Sequence, residues 1–385
     1  MIIGELTETY PPMLDGVGRV TMAYCQNLEK AGHTAYFISP DDRAHTRLDG
    51  LNTLLYGGIP IPGQNYRLGF PRLSRKFEKR IMEIPFDILH SHSPFVSAGI
   101  VQRITEKRKD IPIVATFHSK YYDDFYKATH SRWIANCAKD YIVRVYNRFD
   151  AVWSVNEETA AVLHDYGYQG EIFVAPNGTD LHEINRERAA EMKRRLGLPE
   201  DMPTLLFVGQ IDMKKNIHSV MRACALLKKE GQPFALLLAG QGPDLSRLEK
   251  LRDELDIAGQ THFLGFISDG EELSSLYTLA DLFVFPSVYD NAPMVIREAA
   301  ANGTPSILVR GSCAAEAVED GVNGYLCEDS PESIAQRIRE ALPTAACVGA
   351  KARETIPRPW SEIIRTVLEQ YTDLIERKKA KVSGR

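Results

Sequence analysis

Short apolar runs alternate with amphipathic segments along nearly the whole chain of 385 residues. Six runs in the first half are typical of strands: MIIGEL, AYFIS, FDILHSH, IPIVATFH, AVWSV and EIFVAPN. Six more follow in the second half: TLLFVG, FALLLAG, THFLGF, LFVFPS, PSILV and GYLC. Segments such as VTMAYCQNLEKAGH and SVMRACALLKKEG lie between them and have helical spacing. Alternation of this kind predicts parallel, doubly wound α/β sheets.

The strand–helix pattern restarts near residues 176–204, a polar stretch punctuated by Pro and Gly. We therefore predict two Rossmann-like domains, spanning residues 1–178 and 179–358. The last amphipathic segment, 359–385, is predicted to pack back on the first domain. Because ligands of open α/β sheets bind beyond the carboxyl ends of the strands, residues that follow strands are the candidates for a site.

The stretch SVYDNAPMVIREAAANGTPSI, residues 287–307, contains a predicted helix start. Pro293 suits the first turn of a helix, where its missing N–H costs nothing. The amides of Met294 and Val295 then face an anion such as a diphosphate, with the helix dipole adding to the attraction.

Two carboxylates, Asp290 and Glu298, lie eight positions apart in the same stretch. Asp290 can accept a hydrogen bond from a sugar hydroxyl, and Glu298 from ribose hydroxyls. The alternative is that Asp290 caps the helix and Glu298 is solvated.

Two further motifs follow strands in the second half. Lys214 and Lys215 end VGQIDMKKN, where a lysine after a glycine turn can neutralise a phosphate. Gly240 and Gly242 lie in AGQGP, a pattern that allows close approach of the backbone. An ordinary solvated lysine pair is the alternative for the first motif.

A glycine turn follows the first strand. Gly16 and Gly18 are predicted to lie before a helix, where backbone approaches an anion. A dinucleotide fingerprint needs Gly where Thr21 stands, although Asp41 and Asp42 have suitable spacing for a ribose contact. A nicotinamide-dependent oxidoreductase and a plain tight turn both remain alternatives here.

Three histidines lie at the ends of strands in the first half. His90 and His92 share one face of a strand, and no third metal ligand is evident from the sequence. We therefore favour buried, hydrogen-bonded histidines over a metal site. His118 follows a strand directly and is the better candidate for a ligand contact.

Bulk composition narrows the class of protein. The formal net charge of -5 gives no reason to expect nucleic acid. The six cysteines are scattered, which argues against zinc and disulfides and favours a cytoplasmic location. We see no signal peptide and no apolar run long enough to span a membrane.

The ordered motifs of the second half resemble those of retaining GT-B glycosyltransferases of family four: VGQIDMKKN, AGQGP, THFLGF, ADLFVFPSVYDNAPMVIREAAANGTPSI and DGVNGYL. In the first half, ETYPPMLDGVGR, HSHSPF and TFHSKYYDDF are similar to bacterial diacylglycerol glucosyltransferases. Two residues depart from the family pattern: Asp290 replaces the usual Glu, and Gln210 replaces a basic residue.

The resemblance implies two domains facing each other across a cleft, the first binding the acceptor and the second a UDP-sugar. It implies catalytic contacts to the sugar and a set of donor-binding residues, and it implies neither a metal nor a cofactor. The catalytic pair is His118 and Asp290. The donor-binding set is Gly16, Gly18, Gln210, Lys215, Gly240, Phe266, Pro293, Met294, Val295 and Glu298.

The acceptor is expected to be a lipid such as diacylglycerol or, alternatively, a soluble metabolite or polysaccharide. Acceptor contacts are assigned to His92, Ser93, Tyr121 and Asp124. Residues 68–84 have apolar positions at helical spacing among five basic residues, which is typical of a helix that meets an anionic membrane. The alternative is an ordinary surface helix. We also consider a nucleotide-sugar-binding protein without activity.

Overall fold

The computed structural model describes residues 1–10, 16–41, 50–61 and 67–383. They form two compact units. Unit 1 comprises Met1–Asn177 together with Trp360–Arg385, and unit 2 comprises Gly178–Pro359.

Unit 1 is built on a parallel sheet. Its strands are β1 (Ile2–Leu6), β2 (Thr34–Pro40), β3 (Asn52–Tyr56), β4 (Gly58–Pro60), β5 (Arg67–Gly69), β6 (Ile88–Ser91), β7 (Ile113–Phe117), β8 (Ala151–Ser154) and β9 (Ile172–Val174). Seven of them form one sheet in the order β3-β2-β1-β6-β7-β8-β9, and β4 and β5 form a separate antiparallel hairpin. The helices along this part of the chain are α1 (Gly16–Lys30), α2 (Arg75–Glu83), α3 (Val96–Lys107), α4 (Tyr121–Thr129), α5 (Arg132–Tyr146) and α6 (Glu157–Asp165).

Unit 2 has a second parallel sheet. Its strands are β10 (Thr204–Val208), β11 (Ala235–Ala239), β12 (Thr261–Gly265), β13 (Leu282–Val284), β14 (Ser306–Val309) and β15 (Tyr325–Cys327), in the order β12-β11-β10-β13-β14-β15. Its helices are α7 (Arg186–Arg195), α8 (Ile217–Lys229), α9 (Leu245–Glu254), α10 (Gly270–Leu279), α11 (Met294–Ala301), α12 (Pro331–Ala341) and α13 (Ala345–Thr355). The final helix, α14 (Trp360–Ser383), belongs to unit 1.

The strand order of each sheet reverses once, between β1 and β6 in unit 1 and between β10 and β13 in unit 2. Connections on either side of such a point run in opposite directions, which opens a crevice at the carboxyl ends of the strands. The central strands β7, β10 and β11 are buried at every residue, as expected for parallel strands covered on both faces. The predicted fold class, two doubly wound α/β domains, is confirmed.

All twelve predicted strands are present, but three predictions about local structure were wrong. Gly16 and Gly18 do not precede α1, because the helix begins at Gly16 and includes both. Pro293 is the N-cap of α11 rather than its first helical residue. Residues 68–84 are not one helix: α2 starts only at Arg75, after the hairpin and a short 3-10 turn.

Candidate functional site

The switch point of unit 2 brings Lys215 and Asp290 together. Lys215 ends a short 3-10 turn after β10, and its ammonium forms an ion pair with the Asp290 carboxylate, which lies after β13. The side chains are only 16% and 18% exposed. The other carboxylate oxygen of Asp290 accepts a hydrogen bond from Ser287 Oγ at 2.5 Å. Neither residue is therefore a solvated surface charge.

Asn216 ties the two loops together. Its backbone is left-handed at φ 60°, and its side-chain amide donates to Pro286 O at 3.2 Å and to Asp329 Oδ1 at 2.7 Å. Asn tolerates this conformation better than most residues. The turn that carries Lys215 is thus anchored against the segment that carries Asp290.

Helix α11 begins at Met294, with no side chain capping its start. Asp290 therefore does not have the capping role considered as the alternative. Met294 and Val295 occupy the first turn, whose amides precede the first intrahelical donor of an α-helix. The partial positive charge of a helix start lies at these two amides.

Glu298 lies one turn further along α11 and is half-buried, so the solvated alternative was wrong for this residue as well. Its Oε2 accepts a hydrogen bond from Tyr277 Oη at 3.0 Å, and Tyr277 is buried on α10. The hydroxyl fixes the direction of the carboxylate. Sequence reasoning missed Tyr277, because a tyrosine within a helix carries no signal of its distant partner.

Glycine is required at positions 240 and 242 because neighbouring backbone leaves no room for a Cβ atom. A Cβ on Gly240 would lie 1.8 Å from Gly209 O, and one on Gly242 would lie 2.2 Å from Ile211 O. The loops after β10 and β11 therefore approach each other backbone to backbone. Gln210 lies in the first of these loops and is exposed, as is Phe266 after β12.

The switch point of unit 1 holds a buried polar cluster that contains two of the predicted residues. His92 Nε2 hydrogen-bonds Glu5 Oε2 at 2.8 Å, and His92 Nδ1 hydrogen-bonds His118 Nε2 at 3.0 Å. The His90 and His92 rings stack with centroids 4.2 Å apart, which agrees with their predicted common face. Tyr371 of α14 completes the cluster by donating to Glu5 Oε1 at 2.9 Å.

Burial dominates the electrostatics of this cluster. It raises the pKa of Glu5 to about 8, and the hydrogen bond from Tyr371 offsets part of that rise. It lowers the pKa of His92 to about 3, and it holds the pKa values of His90 and His118 well below the usual range. The three imidazoles are therefore neutral at pH 7.

Glu5 supplies the third polar group that the sequence did not reveal beside His90 and His92. Their ligand-type atoms all lie within 4.8 Å of one another, a spacing that a metal ion could use. Every one of these atoms is engaged in a hydrogen bond, because His90 also contacts Tyr371 Oη and Thr116 Oγ1, both at 2.6 Å. In the sequence, the one signal that could have revealed Glu5 was an acidic residue inside an otherwise apolar strand.

The other residues of unit 1 that were predicted to contact the acceptor differ in their burial. Ser93 is buried one residue after His92, and its Oγ accepts from Phe95 N at 3.4 Å. Tyr121 begins α4 and packs edge-to-face on Phe95 with centroids 5.4 Å apart. Asp124 is half-buried in the first turn of the same helix. Residues 11–15 of the loop before α1, and Asp42, lie outside the described residues.

An exposed surface of unit 1 combines apolar and basic side chains; we call it the α2 surface. Ile59 and Leu68 are paired across the β4–β5 hairpin and both are exposed, and Leu73 is 80% exposed. The exposed basic residues are Arg72, Arg75, Lys76, Lys79 and Arg80. The apolar face of α2 itself is buried through Phe77 and Ile81, so the exposed apolar residues come from the preceding hairpin and turn. Among the described helices, none is long and apolar enough to cross a bilayer.

Two family models cover most of the chain. The model described as Glycosyltransferase Family 4 matches residues 14–183, and the model described as Glycosyl transferases group 1 matches residues 189–353. The protein is therefore a glycosyltransferase, and it belongs to family 4, whose members share the two-domain GT-B fold.

Two curated relatives and two solved structures resemble this chain over most of its length. An alpha-monoglucosyldiacylglycerol synthase of Streptococcus pneumoniae is 28% identical over 80% of this chain and 70% of its own length. The enzyme of the same name from Acholeplasma laidlawii is 24% identical over the full length of both chains. Among solved structures, Anabaena HepE in complex with UDP-glucose matches with a TM-score of 0.79 at 17% identity, covering 97% of this chain and 100% of its own. Sucrose-phosphate synthase of Thermosynechococcus elongatus gives 0.80 at 20%, covering 98% and 100%.

Proposed function

We propose that the protein transfers glucose, with retention of configuration, from UDP-glucose to a hydroxyl of a membrane lipid such as diacylglycerol. The observation that carries the proposal is the largely buried Lys215–Asp290 ion pair at the switch point of unit 2, whose carboxylate lies four residues before the start of α11. It combines a cation, a carboxylate and a helix start, which suit a sugar diphosphate. Relatives named as glucolipid synthases and a neighbour bound to UDP-glucose support the choice of donor and acceptor.

The donor-binding residues would each contact a different part of the nucleotide sugar. Lys215 and the amides of Met294 and Val295 would hold the diphosphate, and Glu298, oriented by Tyr277, would accept from the ribose hydroxyls. The backbone near Phe266 would meet the base, with Gln210 and Gly240 in neighbouring loops.

The reaction would proceed by electrostatic stabilisation. As the C1–O bond breaks, negative charge grows on the leaving diphosphate, and donors that are already fixed in place lower the barrier. Asp290 and His118 would contact the sugar, and the acceptor hydroxyl would attack from the face that the diphosphate leaves. Because this route needs neither a protein nucleophile nor a resident metal, we assign none.

The acceptor proposal is supported by the α2 surface. Exposed apolar side chains beside basic ones suit the boundary between anionic headgroups and acyl chains. The protein would then work on the cytoplasmic face of a membrane as a peripheral protein. His92, Ser93, Tyr121 and Asp124 remain the proposed contacts to the acceptor headgroup.

The donor and acceptor are tested together by incubating the protein with radiolabelled UDP-glucose and diacylglycerol in vesicles. We expect a labelled glucolipid with an α-anomeric linkage, and we expect Glu298→Ala to abolish it. Transfer only to a water-soluble acceptor would overturn the lipid assignment, and the absence of donor turnover would overturn the donor assignment.

The α2 surface is tested by replacing Arg75, Lys76, Lys79 and Arg80 with Gln. Each basic residue near an anionic surface contributes about 1 kcal/mol, so binding to phosphatidylglycerol vesicles should weaken by at least about tenfold in co-sedimentation. The control has the same loss of charge at exposed residues of unit 2: Arg222, Lys229, Arg247 and Lys250. If both variants bind vesicles like the unmodified protein, this surface does not meet the membrane.

A further inference from the structure

Glu5, His92 and His118 form a line of hydrogen bonds that runs from the interior of unit 1 to the carboxyl end of its sheet. Glu5 and His92 are 0% exposed, whereas His118, the outermost member, is 8% exposed. The two links of the line measure 2.8 and 3.0 Å. A proton change at one end can therefore reach the other through two short transfers.

The neighbouring bonds favour one oxygen of Glu5 as the site of protonation. With Glu5 ionised, Tyr371 donates to Glu5 Oε1, so its oxygen accepts from His90 Nδ1, and His90 Nε2 accepts from Thr116 Oγ1. From Thr116 through His90 and Tyr371 to Glu5, each group therefore donates to the next. Oε2, which faces His92 Nε2, is the carboxylate oxygen that can be protonated without reversing the bonds of Tyr371, His90 and Thr116.

Two arrangements of the line follow. With Glu5 ionised, His92 donates from Nε2, accepts at Nδ1, and His118 carries its proton on Nε2. With Glu5 protonated on Oε2, every bond reverses: His92 accepts at Nε2 and donates from Nδ1, and His118 accepts at Nε2 and carries its proton on Nδ1.

We propose that Glu5 and His92 are positioning residues that decide which ring nitrogen of His118 carries its proton. A proton added to His118 Nδ1 releases the Nε2 proton to His92 Nδ1, and His92 passes its Nε2 proton to Glu5 Oε2. The three side chains together change from a charge of −1 to 0, and both imidazoles stay neutral. His118 thereby becomes a hydrogen-bond donor at Nδ1 without becoming a cation.

The surroundings of Glu5 favour such a reversal near neutral pH. Burial raises the pKa of Glu5 to about 8, while burial keeps the pKa values of the histidines low. The titratable groups facing Glu5 are Tyr24 and Cys25 of α1, Tyr371 of α14, His90 within β6 and His92 directly after it. Within the described part of the chain, its ion-pair partners are His90 and His92 rather than lysine or arginine.

The change of tautomer at His118 does not depend on the proposed function. Only the catalytic use of its Nδ1 proton rests on that function. Below pH 8 the Nδ1–H of His118 would donate to an oxygen of the transferred sugar. Above pH 8 the same nitrogen would be an acceptor, and that contact would be lost.

The test is NMR of the full-length protein labelled with ¹³C and ¹⁵N in its ten histidines, with assignments from single His→Gln variants. Ring ¹⁵N and ¹³C shifts distinguish the two tautomers. From pH 6 to 10 we expect His92 and His118 to change from Nδ1–H to Nε2–H with one shared midpoint near 8, while His90 keeps Nδ1–H as the internal control. Unchanged tautomers, or a charged His118, would overturn the proposal.

Glu5→Gln removes the titrating group and should abolish both changes. Glu8→Gln is the matched control, because Glu8 accepts from Ser97 N and Oγ at 2.8 and 2.9 Å outside the line and should leave the midpoint in place. If Glu5→Gln does not fold, the titration of the unmodified protein still decides the matter. In assays, kcat/KM should fall above pH 8 only when Glu5 is present. The NMR result is independent of transfer, so failure of the proposed function and failure of the proton line are distinguishable.

Discussion

At the scale of single residues, the Lys215–Asp290 pair shows how two charges can be held out of solvent. Lys215 lies in a 3-10 turn that Asp212 caps, because the Asp212 side chain accepts from Lys214 N at 2.8 Å. The carboxylate is set by Ser287. Removing either partner leaves a charge that is largely buried without its counter-ion, which costs more than losing a solvated pair.

Lys215→Ala should reduce kcat/KM for the nucleotide sugar by about a hundredfold, the usual loss when one fixed donor to a developing anion is removed. Lys214→Ala provides the matched control, because Lys214 precedes it in the same turn and is exposed. We expect it to stay within about twofold of the unmodified protein. Steady-state kinetics with a fixed acceptor measures both, and equal losses would contradict the role of Lys215.

The positions of site residues in the fold were predictable where a local signal exists. Asp290, Lys215 and the start of α11 could be located because a helix start and a turn are encoded by neighbouring residues. Glu5 and Tyr277 could not, because their partners are distant in sequence: 87 residues separate Glu5 from His92, and 21 separate Tyr277 from Glu298. Only the fold brings such side chains together.

At the scale of elements, the loops after β10 and β11 lie in direct backbone contact. Gly209 N donates to Ala239 O and Ile211 N donates to Gln241 O, each at 3.0 Å. Gly240 has φ 147°, outside the range that other residues usually adopt. These glycines are therefore structural and hold the loop of Gln210 and Lys215 in place.

Gly240→Ala should destabilise unit 2 by about 1–3 kcal/mol, because the new Cβ overlaps a carbonyl oxygen and the backbone is strained. Gly259→Ala is the comparison, since a Cβ there meets nothing within 4 Å and φ is not positive. We expect it to stay within about 0.5 kcal/mol. Urea unfolding followed by a probe in unit 2 measures the difference, and equal stability of the two variants would argue against the backbone contact.

Element prediction succeeded where apolar runs were bounded by turns and failed at the edge of the first sheet. Strand β3 was missed because its sequence, NTLLY, has neither a long apolar run nor strict alternation, as an edge strand paired only with β2 does not require them. The length of α2 was overestimated because Phe70 and Leu73 keep helical spacing by coincidence. They lie in a hairpin exit and a 3-10 turn, where Pro71 begins the turn.

At the scale of the whole molecule, unit 1 is made from two separated parts of the chain. Helix α14 contributes Tyr371 to the cluster of Glu5, and Trp360 packs edge-to-face on Tyr24 with centroids 5.7 Å apart. Lys378 also forms an ion pair with Asp150 at 2.7 Å. The final helix is therefore a part of the first core rather than an appendage.

Ending the chain after Pro359 should destabilise unit 1 selectively, because it uncovers apolar surface and leaves Glu5 without Tyr371. Ending it after Lys379 keeps each of these contacts and serves as the control. Hydrogen–deuterium exchange should show lost protection in β1, β6 and β7 for the first truncation, with β10, β11 and β13 unaffected. Equal loss of protection in both units would contradict this division.

The separation of Glu5 from Tyr371 by 366 residues has a consequence for synthesis. A ribosome has produced all of unit 2 before it makes the residue that completes the hydrogen bonds of Glu5. Domains usually become complete in the order in which they are translated, but here the N-terminal one is the last to have all of its parts. Translation of α14, rather than of the first half of the chain, therefore sets the earliest moment at which the carboxylate in β1 can acquire its final partner.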